Sequence, residues 1–344
     1  MSRRQKIGLT DLATACDVSV ATVSRALSQP GVVHPETLAK IREAASRLGY
    51  VPNRKARALA SGRSNTIGVA VPTLNSAIFA ETLQEMQKTL AVNGYQLLVA
   101  SHEYEAAAES GALSQLVSHG VDGLIVVGGA RPQSTWRVIE EADLPLVQMW
   151  EGRAGNDCVA VDNQQAGYMV AQHLLGLGHR RFGVICGHLR NNDRQRARVE
   201  GVRQALAELG LTLPPPQISE QPLTVTAGRG GCAALLELVP RPTAIIGTVD
   251  VLAIGAMIEA QGRGIPVPDG LSFAGIDNVE FAAHLSPSLT SVDIPAAAIG
   301  AETAARMLEL LQSPPQPPQR RTLPINLVIR HSTAAPPPGY NVQA

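Results

Sequence analysis

At 344 residues the chain is long enough for two or three domains and too long for one compact unit of ordinary size. Its net charge of zero hides a division: residues 1–63 hold 11 Lys and Arg against 4 Asp and Glu, and residues 64–344 hold 18 against 25, so a polyanion would be met by the basic head and not by the acidic body. No apolar run approaches the roughly 20 residues of a membrane span, MSRRQKIGLTDLA lacks the apolar stretch of a secretory signal, and Cys16, Cys158, Cys186 and Cys232 have no CxxC or CxxH spacing; a cytoplasmic protein without membrane contact, disulfide framework, zinc site or cofactor is expected.

Met1 to Lys6 form a basic arm. In the next stretch, LTDLATACDVSVATVSRAL from Leu9 to Leu27, the apolar residues Leu9, Leu12, Ala13, Val18, Val23 and Leu27 recur at three- and four-residue steps on either side of Asp17-Val18. That spacing predicts two short helices and a tight turn. Ser19 stands where the N-cap of the second helix, Val20 to Ser28, is needed. The outward face of that helix carries Val20, Ala21, Thr22, Ser24 and Arg25, short side chains and one forked donor, which suits a DNA major groove. An ordinary helical hairpin is the alternative on this stretch alone. Gln29-Pro30-Gly31 breaks the chain, and a third helix is expected from about Pro35 to Leu48, with Pro35 in its first turn and Gly49 after its end. Residues 1–50 thus read as a small all-α helix-turn-helix headpiece.

Residues 51–65, VPNRKARALASGRSN, hold helix-forming residues from 54 to 60, too few to stay helical alone in water. They read as a hinge helix and linker in which Leu59 is one apolar side chain among cations. In a minor groove such a leucine can wedge between base steps; a plain basic linker is the other reading.

From residue 66 to 332 the texture is alternating strand and helix. Strands are expected at 67–72, 96–100, 124–127, 145–149 and 158–162, with helices at 79–93, 106–119 and 134–142. The pattern restarts near 163, with helices at 163–177, 194–209, 227–238, 250–262 and 296–312 and strands at 182–186, 243–247 and 271–275, the last helix completing the second unit. Apolar runs buried on both faces between amphipathic helices mean parallel sheets, hence an α/β body of two lobes. Two such lobes commonly enclose a small polar ligand between the carboxyl ends of their strands. Pro314 to Pro318 is a surface linker, and residues 333–344 are expected to be a disordered tail.

These pieces together resemble the LacI/GalR family of bacterial transcriptional repressors over residues 7 to about 332. The resemblance is carried by VSVATVSRAL at 18–27, LGYVPNRKARALASGRSNTIGV at 48–69, YQLLVA at 95–100, VDGLIV at 121–126 and AVDNQQAGYMVAQHLLGLGHRRFGVICG at 160–187. VDVLAIGAM at 249–257 and GIPVPDGLSFAGIDN at 264–278 complete it. It implies a periplasmic-binding-protein-like body and a homodimer whose two headpieces read half-sites of a near-palindromic double-stranded DNA operator. Val20, Ala21 and Arg25 match the positions that set sequence preference. Leu59 matches the wedging hinge leucine, and Asn53 and Ala60 join it as DNA-binding candidates on the hinge. A small-molecule effector between the lobes would control whether the hinges dock.

Within the cleft, the resemblance matches Phe79 to a ring that stacks on ligand, Arg198 to the arginine that grips hydroxyls or carboxylate, and Asp277 to the acid that accepts hydroxyl protons. Each has a structural alternative: a core ring, a surface ion pair and a loop cap. Trp150 either covers the ligand or plugs the lobe edge. Val249 stands where Asn is frequent and Leu223 where an aromatic is frequent, which weakens any transfer of a neutral-sugar or purine preference. Arg194, Arg196 and Arg198 in NNDRQRARVEG favour an anionic ligand, with Arg196 and Arg198 taken as the effector-binding pair. TLNSAIFAETLQEM with GYQLLVA is similar to gluconate-utilisation repressors of the family, so a sugar acid such as gluconate is expected.

An enzyme is the competing class, but the chain has no G-x-S-x-G, H-E-x-x-H, P-loop or post-strand G-x-G-x-x-G. Gly128-Gly129 follows a strand without the rest of a phosphate loop. A transport-type binding protein is argued against by the basic head.

Overall fold

The computed structural model describes residues 7–28, 30–50, 62–312 and 317–338, and the chain divides into two compact units, Met1–Ser64 and Asn65–Ala344. In the first unit, α1 (Leu9–Cys16) and α2 (Val20–Ser28) are joined by a turn in which Asp17 adopts a left-handed conformation, φ 52° and ψ 50°. Aspartate tolerates that region better than most residues. Ser19 Oγ accepts the Thr22 N–H at 3.1 Å, the N-cap contact expected from the sequence. A single turn of 3₁₀ helix, Pro30–Val32, leads to α3 (Pro35–Leu48), which has Pro35 at its first position and ends on left-handed Gly49. Leu12, Ala13 and Cys16 of α1, Val23 and Ala26 of α2, and Ile41 and Ala44 of α3 fill the space between the three helices.

The second unit holds two six-stranded sheets. The first lobe is built from β1 (Thr66–Val71), β2 (Gln96–Ser101), β3 (Gly123–Val127), β4 (Leu146–Trp150), β5 (Asp157–Val161) and, much later, β11 (Arg320–Leu323). Their order is β11-β5-β4-β3-β1-β2, all parallel. Helices α4 (Ala77–Val92), α5 (Ala106–Ser118) and α6 (Gln133–Ala142) connect them. The second lobe orders β12-β10-β9-β8-β6-β7, with β6 (Phe182–Cys186), β7 (Ile218–Glu220), β8 (Ala244–Gly247), β9 (Ser272–Asp277), β10 (Thr290–Asp293) and β12 (Asn326–Val328). Only β12 runs antiparallel to its neighbour. Its helices are α7 (Asn163–Gly176), α8 (Asp193–Ala207), α9 (Val225–Leu236) and α10 (Asp250–Gly262).

Three features differ from the sequence expectation. Helix α11 (Ala296–Gln312) does not complete the second lobe; it returns to the first lobe and packs on α4, where Thr82 Oγ1 donates to the Ala296 carbonyl at 3.2 Å. A side chain in place of Gly300 would collide with the Thr82 carbonyl, so glycine permits this approach. The chain then adds β11 to the first sheet and β12 to the second, so it passes between lobes after β5, after β10 and after β11. Short edge strands of three or four residues are below the length at which alternation is readable. Finally, the tail does not begin at 333: Thr333 Oγ1 bonds His173 Nε2 at 2.9 Å, and the Ala334 carbonyl lies 2.8 Å from His179 Nε2. The buried histidine supplies the polar partner that holds this stretch in place.

Cys16, Cys158, Cys186 and Cys232 are all buried free thiols. Burial pushes Cys158, Cys186 and Cys232 up to about 12. No described helix is long and apolar enough to cross a membrane.

Candidate functional site

Helix α2 presents one stripe outward and one inward. Val23 and Ala26 are buried, whereas Val20 is 42% exposed and Ala21, Ser24 and Arg25 are also exposed. Residues i, i+1, i+4 and i+5 share a face at 3.6 residues per turn, so these four form one continuous surface. Arg25 Nε reaches back to the Ala21 carbonyl at 3.4 Å. Thr22 lies between the stripes, its Oγ1 2.9 Å from Ser19 Oγ, and is shared with the N-cap. Asn53, Leu59 and Ala60 lie outside the described residues.

The body contains a cavity of about 350 Å³ at the carboxyl ends of both sheets, in the size range of small-molecule sites. Trp150 ends β4, Asp277 ends β9, and Phe79 lies in the first turn of α4. Phe79 and Trp150 meet edge to face with centroids 5.5 Å apart and planes at 73°. Phe79 is at once a core ring and a cavity wall. Trp150 is 2% exposed and holds φ +71°, a conformation costly for a bulky residue and concentrated at functional sites. Its Nε1 is buried without a hydrogen-bond partner.

Arg198, 2% exposed, sits in a chain of hydrogen bonds that runs across the cleft floor. Asn163 Nδ2 donates to the Trp150 carbonyl at 3.0 Å, and Asn163 Oδ1 accepts from Arg198 Nε at 3.1 Å. Arg198 Nη1 then donates to the Thr248 carbonyl at 2.7 Å and to Asp277 Oδ1 at 3.1 Å. The first lobe's Trp150 and the second lobe's Asp277 are thereby linked through α7 and α8. These two helices touch at backbone distance: Gly167 faces the Arg198 carbonyl and Gly201 faces the Gln164 carbonyl, both too close to admit a Cβ. Without those glycines α8 could not bring Arg198 against Asn163.

Burial pushes the Asp277 carboxyl up to about 6 against the pull of Arg198. Asp250 behind it rises to about 7, through burial and then the neighbouring charge of Asp277, although it accepts Ser291 Oγ at 2.6 Å and the Val279 N–H at 2.9 Å. Burying two carboxylates together disfavours ionising both.

Arg194 also lines the cavity, whereas Arg196 is exposed, lies outside the lining and donates to the Leu189 carbonyl at 2.7 Å. Arg196 is therefore not where the sequence expectation placed it: on a helix it points about 200° away from 194 and 198's shared side. The Gly128-Gly129 turn is an N–H cradle already filled, since Asp193 Oδ2 accepts Gly129 N–H at 2.6 Å and Ala130 N–H at 2.9 Å. Burial raises Asp193, but Arg194 and the backbone donors outweigh it and hold the carboxyl below its ordinary value. Tyr104, Asn192 and Gln195, with Thr73, Asn75 and Ser76, add to the polar lining, and Leu223, Val225, Val249, Val279 and Phe281 form an apolar wall. Tyr104 was not readable as a site residue, because it is a lone polar residue in a loop; Asn163 and Asn192 sit in recognisable runs, but nothing in those runs says that one bonds Arg198 and the other lines the cavity.

The comparisons bear on both units. Residues 8–53 match the model described as "Bacterial regulatory proteins, lacI family", and residues 171–333 match a periplasmic binding protein-like domain. The chain is 31% identical over 334 residues to the HTH-type transcriptional regulator DegA of Bacillus subtilis, covering 96% of this chain and 98% of the relative. It is 33% identical over 328 residues to the HTH-type transcriptional regulator GntR of Pseudomonas aeruginosa, covering 94% and 95%. Among solved structures, the lac repressor dimer bound to operator and the anti-inducer ONPF superposes with a TM-score of 0.86 at 26% identity, covering 96% of this chain and all of that one.

Proposed function

This chain belongs to the lacI family of bacterial regulatory proteins, and we propose that it acts in the cytoplasm as a repressor, a homodimer that binds a near-palindromic DNA operator under the control of a small effector held in its body. The observation that carries this reading is the exposed stripe of Val20, Ala21, Ser24 and Arg25 on a firmly capped second helix, in a chain that also holds a cavity of about 350 Å³ with both charged and apolar walls. Arg25 can donate two hydrogen bonds to guanine O6 and N7, Val20 and Ala21 can touch thymine methyls, and Thr22 and Ser24 can reach phosphates or base edges. The net charge of +7 over residues 1–63 supplies the sequence-independent part of the affinity. Asn53, Leu59 and Ala60 are the hinge contacts of this reading, with Leu59 as the minor-groove wedge.

The effector of this reading is a sugar acid such as gluconate, supported by the two arginines that line the cavity. Phe79 and Trp150 would flank it, and Arg198 and Asp277 would take its hydroxyls. It would act by favouring one arrangement of the lobes over another, a shift bounded by its differential affinity for the two. A second reading, a neutral sugar or a purine, is supported by the aromatic pair of Phe79 and Trp150 on the cavity and by Asp277 answering the charge of Arg198.

Selection from random duplex DNA, followed by gel retardation of the enriched sequence with and without effector, tests the regulator reading. An inverted repeat whose retardation changes with effector is the expected result. Binding with no preference over random duplex at the same salt overturns it.

A further inference from the structure

The cavity has two polar ends of different chemistry. At one, Arg198 and Asp277 answer each other's charge at 3.1 Å. At the other stands Arg194, 8% exposed. Its one ionic partner, Asp193, lies 2.9 Å from Nη1, but that carboxylate also accepts the N–H groups of Gly129, Ala130 and Arg194 itself. A carboxylate divided among four donors leaves much of the guanidinium's hydrogen-bonding capacity unanswered. Room for the guanidinium depends on Gly128, held at φ +75°, where a Cβ would collide with Arg194 Nη1.

Further buried donors lie around Arg194. Arg131 lies buried nearby, with Nε paired to Glu109 at 3.0 Å and Nη1 without a partner. Buried His102 is held down to about 4 by burial and then by the charges of Arg131 and Arg194. At the cavity itself the buried Trp150 Nε1 is a further donor with no acceptor. Among the described residues the charged groups lining the cavity are Arg194, Arg198 and Asp277; Asp193 sits behind Arg194 and outside the lining, so the guanidinium is the charged group that faces the cavity at this end. Unanswered donors in a buried site are costly and call for an acceptor.

We propose that Arg194 is the specificity-determining residue that reads a single carboxylate on the effector, which makes that effector a polyhydroxy monocarboxylate with its hydroxyls directed to Arg198 and Asp277. This deepens, and rests on, the reading of the cavity as the effector site. The same arginine holds Asp193, whose carboxylate crosses from α8 to the Gly129-Ala130 backbone of the first lobe. The ligand's charge is therefore read at the joint between the lobes.

The test sets two sugar acids against a neutral polyol. Titration calorimetry and thermal melting of the full chain are run with D-gluconate, 2-keto-D-gluconate and D-glucitol, the last a neutral chain with the same hydroxyl pattern. The expected result is binding of at least one acid, with D-glucitol weaker by about 10- to 100-fold, the range of a charge-assisted hydrogen bond. Arg194→Gln should collapse that ratio toward unity, and Arg194→Lys should restore part of it. Equal binding of acid and alcohol, binding of neither acid, or an Arg194→Gln protein that keeps the preference overturns the proposal. Since the ratio is measured within each protein, a general loss of stability cannot mimic it. DNA binding of the unaltered chain, measured separately, distinguishes a wrong ligand class from a wrong regulator reading.

Discussion

Asp250 and His102 are buried titratable groups shifted in opposite directions, and each makes stability depend on pH with its own sign. The folded Asp250 carboxyl, near 7, holds its proton more tightly than in the unfolded chain. Its contribution to stability is therefore present at low pH and lost as pH rises from about 4 to about 7. His102, near 4 when folded, binds its proton less tightly than in the unfolded chain, so stability is gained as pH rises from about 4 to about 6.5. In urea unfolding across this range, the stability difference between Asp250→Asn and the unaltered chain should move in the variant's favour as pH rises; a difference flat in pH would remove Asp250 as a titrating group. At the other site, Arg25→Ala should cost about 1–3 kcal/mol at one base pair of each half-site and relax preference there, read as affinity for an operator series substituted at each position. A uniform loss over all sequences would make Arg25 a phosphate contact. The sequence made Phe79, Arg198 and Asp277 stand out because each sits in a recognisable run of residues, whereas Trp150 was left between covering a ligand and plugging the lobe edge; all four line one cavity. That Arg194 and not Arg196 joins Arg198 at the cavity was not legible, since it depends on where Asn192 starts α8.

Among the elements, α7 and α8 are the pair whose contact matters most for the cavity. Gly167→Ala should separate them, since its Cβ has no room at the Arg198 carbonyl. The expected cost is about 1–3 kcal/mol of stability, as for other overpacked sites, together with weaker ligand binding through the displaced Arg198. A urea midpoint and a ligand titration on the same protein check both; a stable variant with intact ligand binding would show that the helices can part freely. Most helices and long strands of the body were legible because their apolar runs are long, and α10 and α11 even keep the expected limits, Asp250–Gly262 and Ala296–Gln312. The partner of α11 was not, for an amphipathic stripe says that a helix packs without saying on what. Strands β7, β11 and β12 have no fully buried residue and only three or four residues each, too short a run for a period to be read.

For the whole molecule, the relevant quantity is the free energy difference between lobe arrangements. Asp193 alone joins the start of α8 to two N–H groups of the opposite lobe, so Asp193→Ala should loosen the unliganded body, seen as a larger radius of gyration in solution scattering that ligand restores only in part. An unchanged radius would mean that other contacts hold the lobes. Saturating ligand at a hundred times its dissociation constant should add about 2.7 kcal/mol to the stability of the form that binds it, whichever arrangement that is.

The three passages of the chain between lobes also restrict how such a body can be rebuilt. A chimera with one junction, for instance after Val161, would join a first lobe lacking its own β11 and α11 to a second lobe that carries both from another parent. The edge strand beside β5 and the helix seated on Thr82 would then come from a sequence never matched to them. Grafting a new ligand preference by exchanging one lobe therefore takes three junctions, whereas changing a few side chains around the cavity takes none.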